Sequence, residues 1–307
     1  MILQYTKLTT HPAVFRSLTG LTVAQFDALL ADALPRYREA EHRRHTRPDR
    51  LRDIGGGSQF TLSLRDHILL TVVWLRVYPT YPVLGYLFGV SEYVAQRALK
   101  RVVPVLAAAG LDTMRLPDPG RGHRHTLDDL LRDTPELAVL IDTYEQPVQR
   151  HKRRDEADRW YSGKKKMHTV KTQVVVNERD ERIVDVSAGE PGPTADITVL
   201  RQSGFLARVP GGIGVLGDLA YVGMTDGYPD VRGAWPRRKP RGQPRPAEDV
   251  AYNRAFAQRR VHVEHAIGRM RHFQAVTQRD RHHRWGITPR NQAVAGLVNR
   301  TNWRIAT

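Results

Sequence analysis

Apolar positions change their period along this chain, from helical spacing in its first third to short β-branched runs in the remainder. In "SLTGLTVAQFDALLADALPRYREAEH" (17–42), Phe26, Leu29, Leu30 and Leu34 recur at helical spacing behind Thr22, which can cap the first turn. The pattern dissolves into a basic stretch and then three glycines at 55–57, a composition suited to a joint. It resumes over 61–110, where the spacing predicts helices at about 63–77, 80–88 and 91–108. Gly89 can end the second of these and Ser91 can cap the third. On the third, Val94, Ala95, Ala98, Leu99 and Val102 fall on one face, with Tyr93, Gln96, Arg97 and Lys100 opposite. Two helices joined by a short Gly-containing turn are a helix-turn-helix pattern, and such side chains reach base edges and phosphates. An ordinary amphipathic helix with a solvated basic face has the same pattern.

After a Pro-, Gly- and His-rich linker (114–130), the period becomes that of strands. The segments 136–142, 166–178, 182–189 and 212–218 are β-branched and bounded by turn residues, with "NERDER" turning between the second and third. A helix over 194–204 follows the third strand, with Thr194 as its cap, and two helices, 247–276 and 291–305, close the chain. Between them, the stretch 228–246 has too much Pro and Gly for regular structure. Three antiparallel strands, a helix, a further strand and then helices are compatible with an α/β, ribonuclease H-like mixed sheet with flanking helices, preceded by an all-α domain. The expected organisation is a helical segment and joint (1–57), a helix-turn-helix domain (58–113), the linker, and an α/β domain (131–307) with a basic insert (226–248).

Charge narrows the function. With 48 Lys and Arg against 32 Asp and Glu, the 307 residues carry a formal charge of +16. That excess calls for a polyanionic partner, most often nucleic acid. The run "ILLTVVWL" (68–75) is far short of the roughly 20 residues of a spanning helix, so a membrane is not expected. The N-terminus shows no signal-peptide pattern. The absence of cysteine excludes disulfides, thiol catalysis and thiolate zinc sites. An intracellular protein facing DNA or RNA follows as the default.

Candidate chemistry lies in three carboxylates. "ELAVLID" ends an apolar run in Asp142, and "GIGVLGD" repeats the pattern with Asp218. On the late helix, Glu264 sits at the rim of an apolar face formed by Val263, Ala266, Ile267, Met270 and Phe273. Converging, the three would make an all-oxygen site for hard divalent cations such as Mg²⁺ or Mn²⁺, suited to in-line phosphoryl displacement. Separately, each has a plainer reading: an aspartate capping a turn, or a glutamate paired in helical spacing with Arg260 or Arg271. Asp196 is a fourth acid, best read as a first-turn helix carboxylate.

In order, the blocks "IDTYEQPVQR", "YSGKKKMHTVKTQVVV", "AGEPGPTADITVLRQS", "GDLAYVG", "AYNRAFAQRRVHVEHAIGRMRHF" and "QAVAGLVN" resemble bacterial insertion-sequence transposases of the DDE class, in the branch shared with Harbinger-type nucleases. The helix-turn-helix stretch resembles that family's N-terminal segment, so the resemblance spans about residues 15–305. It implies a catalytic, metal-binding triad of Asp142, Asp218 and Glu264 holding two Mg²⁺ or Mn²⁺. It also implies cleavage at terminal inverted repeats, strand transfer into target DNA, a homodimer or larger assembly on double-stranded DNA, and a bacterial cytoplasmic, nucleoid-associated setting. The chain departs from the family pattern at Thr143, Leu219-Ala220 and Ala195. Lys164, Lys165 and Lys166 in a hairpin turn, and Arg237, Arg238 and Lys239 in the insert, are expected to contact phosphates, which makes binding salt-dependent. The rival expectations are a transposase-derived DNA-binding regulator without cleavage and a simple metal-dependent endonuclease.

Overall fold

The computed structural model describes residues 2–46, 61–117, 138–282 and 286–301, which fall into two compact units. One contains the described residues up to Thr113, with Arg271–Gln278 and Pro289–Thr301; the other contains those of Met114–Met270 and Arg279–Thr288. The glycine joint at 55–57, most of the linker and the end of the last helix lie outside the described residues.

The first unit is helical: α1 (Tyr5–Leu8), α2 (Pro12–Thr19), α3 (Val23–His45), α4 (Leu64–Val77), α5 (Tyr81–Phe88) and α6 (Glu92–Leu111). The helix expected behind Thr22 is α3, and the separate helix α2 precedes it. Gly20 adopts φ +76° and stops α2, and Thr22 restarts the chain with a capping box to Gln25. Ser63 and Ser91 cap α4 and α6 by accepting backbone N–H groups, and Gly89 ends α5 in the left-handed region. Phe15 and Phe26 meet edge to face at 5.3 Å in a core shared with Leu29, Ile68, Leu84, Phe88 and Leu99. Most of the last helix, α10 (Ile287–Thr301), belongs to this unit and crosses α6 where Gly110 meets Gly296.

The second unit is built on a seven-stranded sheet. The long central strand β1 (Ala138–Pro147) pairs antiparallel with β3 (Met167–Asn177). Beyond β3 lie β4 (Ile183–Val186) and β5 (Glu190–Pro191), while β2 (Tyr161–Ser162) closes a hairpin onto its start. On its other side β1 pairs in parallel with β6 (Gly214–Leu216), and β6 in parallel with β7 (Arg232–Ala234). The short helix α7 (Arg154–Arg159) precedes β2, and α8 (Asp196–Ser203) and α9 (Ala247–Arg271) flank the sheet in sequence. An antiparallel hairpin whose first strand then receives parallel strands on its free side is the ribonuclease H-like arrangement. It follows an all-α, helix-turn-helix-like region.

Two local expectations change. Residues 228–246 do contain regular structure, because the tripeptide Arg232–Ala234 completes the parallel edge before Pro236 ends it. The N-cap position of α8 is Ala195, not Thr194, and its side chain makes no cap; Thr194 instead turns its carbonyl to Lys171. One face of the sheet packs Val139, Ile141, Val175 and Val215 on Leu200, Phe205, Leu206, Tyr221 and Met224. No helix among the described residues is long and apolar enough to cross a membrane.

Candidate functional site

Asp142 is not at the tip of its strand, as its sequence setting suggests, but inside β1, opposite Val174 of β3. The apolar run stops because the parallel neighbour stops. The β1–β6 ladder ends at Leu140 opposite Leu216. Asp218 lies two residues beyond the end of that ladder, and its charge acts on Asp142. Side chains alternate along a strand, so Asp142 shares the face of Leu140, opposite the packed face of Val139 and Ile141.

Each acid is held by a definite contact. Asp142 Oδ1 accepts the Thr143 N–H at 2.8 Å, and Oδ2 accepts Nη2 of Arg260 at 3.1 Å. Burial pushes the Asp142 carboxyl above its usual range; Arg260 opposes this, and the nearby charges of Asp218 and Asp196 add to it. Asp218 caps the 3₁₀ turn Leu219–Tyr221 by accepting the Ala220 N–H at 2.8 Å. Gly217 before it is needed because a Cβ there would stand 2.8 Å from the Tyr221 ring. That ring carries its hydroxyl, buried and without a hydrogen-bond partner among the described residues, into the field of the three aspartates.

Glu264 lies one helical turn beyond Arg260 on α9, with Oε1 3.9 Å from Arg260 Nη2, and its side chain is 61% exposed. One guanidinium therefore links Asp142 to Glu264. Asp196 is the first residue of α8, the helix-start position its sequence context suggests. It also accepts Lys171 Nζ at 2.7 Å and Thr143 Oγ at 3.1 Å. Lys171 and Tyr221 escape a sequence reading because nothing local marks them: one lies in an apolar strand and the other in a turn.

A second cluster lies elsewhere. Ligand atoms of Glu181, His262 and His265 all lie within 4.8 Å of one another, the candidate metal-binding group among the described residues. The signal available in the sequence was "HVEH", two histidines three apart on a helix.

On α6, Tyr93, Arg97 and Lys100 are exposed and Gln96 is half-buried, with the Arg97 guanidinium 4.4 Å over the Tyr93 ring. Ala95, Ala98, Leu99 and Val102 are buried on the other face. Lys164, Lys165 and Lys166 occupy the exposed turn between β2 and β3. Arg237 is engaged internally, 3.0 Å from Asp249 and 4.6 Å over the Tyr252 ring, while Arg238 and Lys239 stand exposed beside it.

The fold is of the ribonuclease H-like class, preceded by a helix-turn-helix-like region. The chain belongs to the family described as DDE superfamily endonuclease, whose pattern matches residues 141–299; that of the helix-turn-helix of DDE superfamily endonuclease matches residues 60–112. It is 28% identical over 246 residues, 79% of its length and 82% of the relative's, to the "Probable transposase for insertion sequence element IS702" of Microchaete diplosiphon. It is 25% identical over 263 residues, 85% of each chain, to the "Putative transposase for insertion sequence element IS112" of Streptomyces albus G.

Proposed function

We propose that this protein is a DDE transposase, of the branch shared with Harbinger-type nucleases, that binds the terminal inverted repeats of a mobile element, cleaves there and joins the freed end to target DNA. The observation that supports the reading is that one guanidinium, Arg260, reaches both Asp142 and Glu264, with the charge of Asp218 acting on Asp142.

The donor set fits two divalent cations, Mg²⁺ or Mn²⁺. It is all oxygen, burial first and then the charges of Asp218 and Asp196 raise the Asp142 carboxyl, and the buried Tyr221 hydroxyl has no hydrogen-bond partner among the described residues. Asp142, Asp218 and Glu264 would hold the pair. When bound, such ions supply Lewis-acid activation of water and charge stabilisation on the phosphoryl oxygens. The chain's own contribution is positional. Thr143 and Ala220 N–H groups fix the two aspartates, and the Lys171 pair holds Asp196 back from them.

In this reading residues 58–113 recognise the repeats and 131–307 carry the chemistry. Tyr93, Gln96, Arg97 and Lys100 face bases and phosphates. Lys164, Lys165, Lys166, Arg238 and Lys239 grip the backbone, and Arg237 serves mainly to hold the insert to α9. Two element ends must be joined, which calls for a homodimer or larger assembly on DNA, in a bacterial nucleoid.

The test is cleavage of DNA carrying the element's own ends. Asp142→Asn and Asp218→Asn are each expected to abolish Mg²⁺-dependent cutting while a mobility-shift assay shows unchanged binding. Undiminished cleavage in either variant would overturn the site. An unmutated protein that binds these ends but never cuts with Mg²⁺ or Mn²⁺ would be a regulator.

A further inference from the structure

The geometry points to a transition-metal site, separate from the acidic strand ends, in which Glu181, His262 and His265 bind Zn²⁺ or a similar borderline cation and clamp the β3–β4 turn to α9. Nδ1 of His262 lies 2.8 Å from Glu181 Oε1, and Nδ1 of His265 lies 3.5 Å from the same oxygen. Both imidazoles thus present the same nitrogen to one carboxylate oxygen.

The site is prebuilt. Glu181 is 2% exposed and sits at φ +56° in the tight turn after β3, where its N–H donates to the Asn177 carbonyl. Its other oxygen, Oε2, is taken by Arg269 Nη1 at 2.5 Å, and Arg269 Nη2 also donates to the Glu181 carbonyl at 3.2 Å. The carboxylate is therefore locked at one oxygen and turned towards the histidines at the other. His262 and His265, three apart, leave α9 on one side, their rings edge to face at 6.3 Å. A hydrogen-bonded cluster would need only one histidine there.

The donor set selects the ion. Two imidazole nitrogens and one carboxylate oxygen suit Zn²⁺, Co²⁺ or Ni²⁺, whereas Mg²⁺ prefers oxygen throughout. Metal–ligand bonds of about 2.0–2.2 Å in a tetrahedron put ligand atoms roughly 3.4 Å apart. The His265 contact, at 3.5 Å, already has that spacing, and the 2.8 Å His262 contact opens slightly when an ion replaces the shared proton. His265 is 54% exposed, so a water can complete the fourth position. The Arg269 charge on Oε2 weakens the carboxylate as a ligand, which favours a reversible site over a tightly sequestered one. Because the two histidines bracket Glu264 in sequence, an ion here would fix that stretch of α9 against the hairpin.

The experiment uses the full chain, stripped with a chelator. Titration with Co²⁺ is expected to give the visible absorption of tetrahedral ligation, saturating at one equivalent per chain, displaced by Zn²⁺ and unaffected by excess Mg²⁺. His265→Ala, a change at an exposed side chain, is expected to abolish the band with unchanged circular dichroism, and His151→Ala to leave it intact. Zn²⁺ is expected to slow amide exchange across residues 178–183 in the unmutated chain only. A band that survives in His265→Ala, or an unmutated chain that takes up no saturable Co²⁺ or Zn²⁺, would overturn the site. Binding without slowed exchange would overturn the clamp. None of these readouts depends on DNA cleavage, so the transposase reading can fail without this one.

Discussion

Asp142 shows how one residue's chemistry is set by its neighbours. Burial raises its carboxyl pKa, and the charges of Asp218 and Asp196 work in the same direction against Arg260. The ionised form is thus maintained at a cost to the fold, as in many sites that gather like charges. Asp142→Asn removes that cost, so the variant is expected to keep or raise the thermal midpoint at neutral pH while cleavage is lost. A midpoint several degrees lower would mean that the cleavage defect reflects unfolding. The sequence pointed to Asp142 and Asp218 as ends of apolar runs; at Asp142 only the parallel pairing with β6 has stopped, while the pairing with β3 continues to Pro147. Arg260 was visible only as an in-helix partner of Glu264; its reach to Asp142, 118 residues away, depends on how the chain folds back.

Elements owe their limits to local chemistry and their packing to small residues. The caps at Thr22 and Ser91 and the stop at Gly89 were readable because capping involves neighbours within three or four residues. The glycine contact between α6 and α10 was not readable, since Gly110 and Gly296 are far apart in sequence. A Cβ on Gly110 would stand 2.6 Å from the Gln292 carbonyl oxygen, and one on Gly296 would strike the Gly110 backbone. Gly296→Ala is expected to lower the stability of the helical unit by about 1–3 kcal/mol, measured by urea unfolding. The same unit buries His67, 2.9 Å from the Tyr37 hydroxyl, with burial first and then the Arg101 charge lowering its pKa to about 4. An unfolded chain takes up this proton near pH 6.5, whereas the folded one resists it until about pH 4. Stability is therefore full above pH 6.5 and falls between 6.5 and 4, by as much as about 3 kcal/mol. His67→Gln is expected to flatten that part of the pH–midpoint curve.

For the molecule as a whole, the +16 charge sets the terms of DNA binding. Neutralised phosphates release counterions, so affinity falls steeply with salt. Arg97→Ala with Lys100→Ala is expected to lower the slope of log affinity against log salt by about two, roughly one per lost phosphate contact. Arg237→Ala is expected to change that slope little, because Asp249 already neutralises this guanidinium. Titration of binding at several salt concentrations separates the two cases. Charge and composition made a nucleic-acid partner legible; which cations are available to it was decided by pairing within the fold.

By itself the sequence determined the period of the longer segments, the caps at Thr22 and Ser91, the order of the longer strands and helices, and three candidate acids. All of these follow from interactions over a few residues, or from summed charge. Tertiary structure decided the rest. Parallel pairing of β1 with β6, which ends at Leu140 opposite Leu216, brings the charge of Asp218 to act on Asp142 across a gap of 76 residues. Edge pairing turns Arg232–Ala234 into a strand within a Pro-rich stretch. Packing of α9 against the β3–β4 turn joins Glu181 to His262 and His265, of which the sequence showed only the paired histidines of "HVEH". Strand pairing and side-chain convergence depend on which distant segments meet, and the short-range preferences of residues do not specify that.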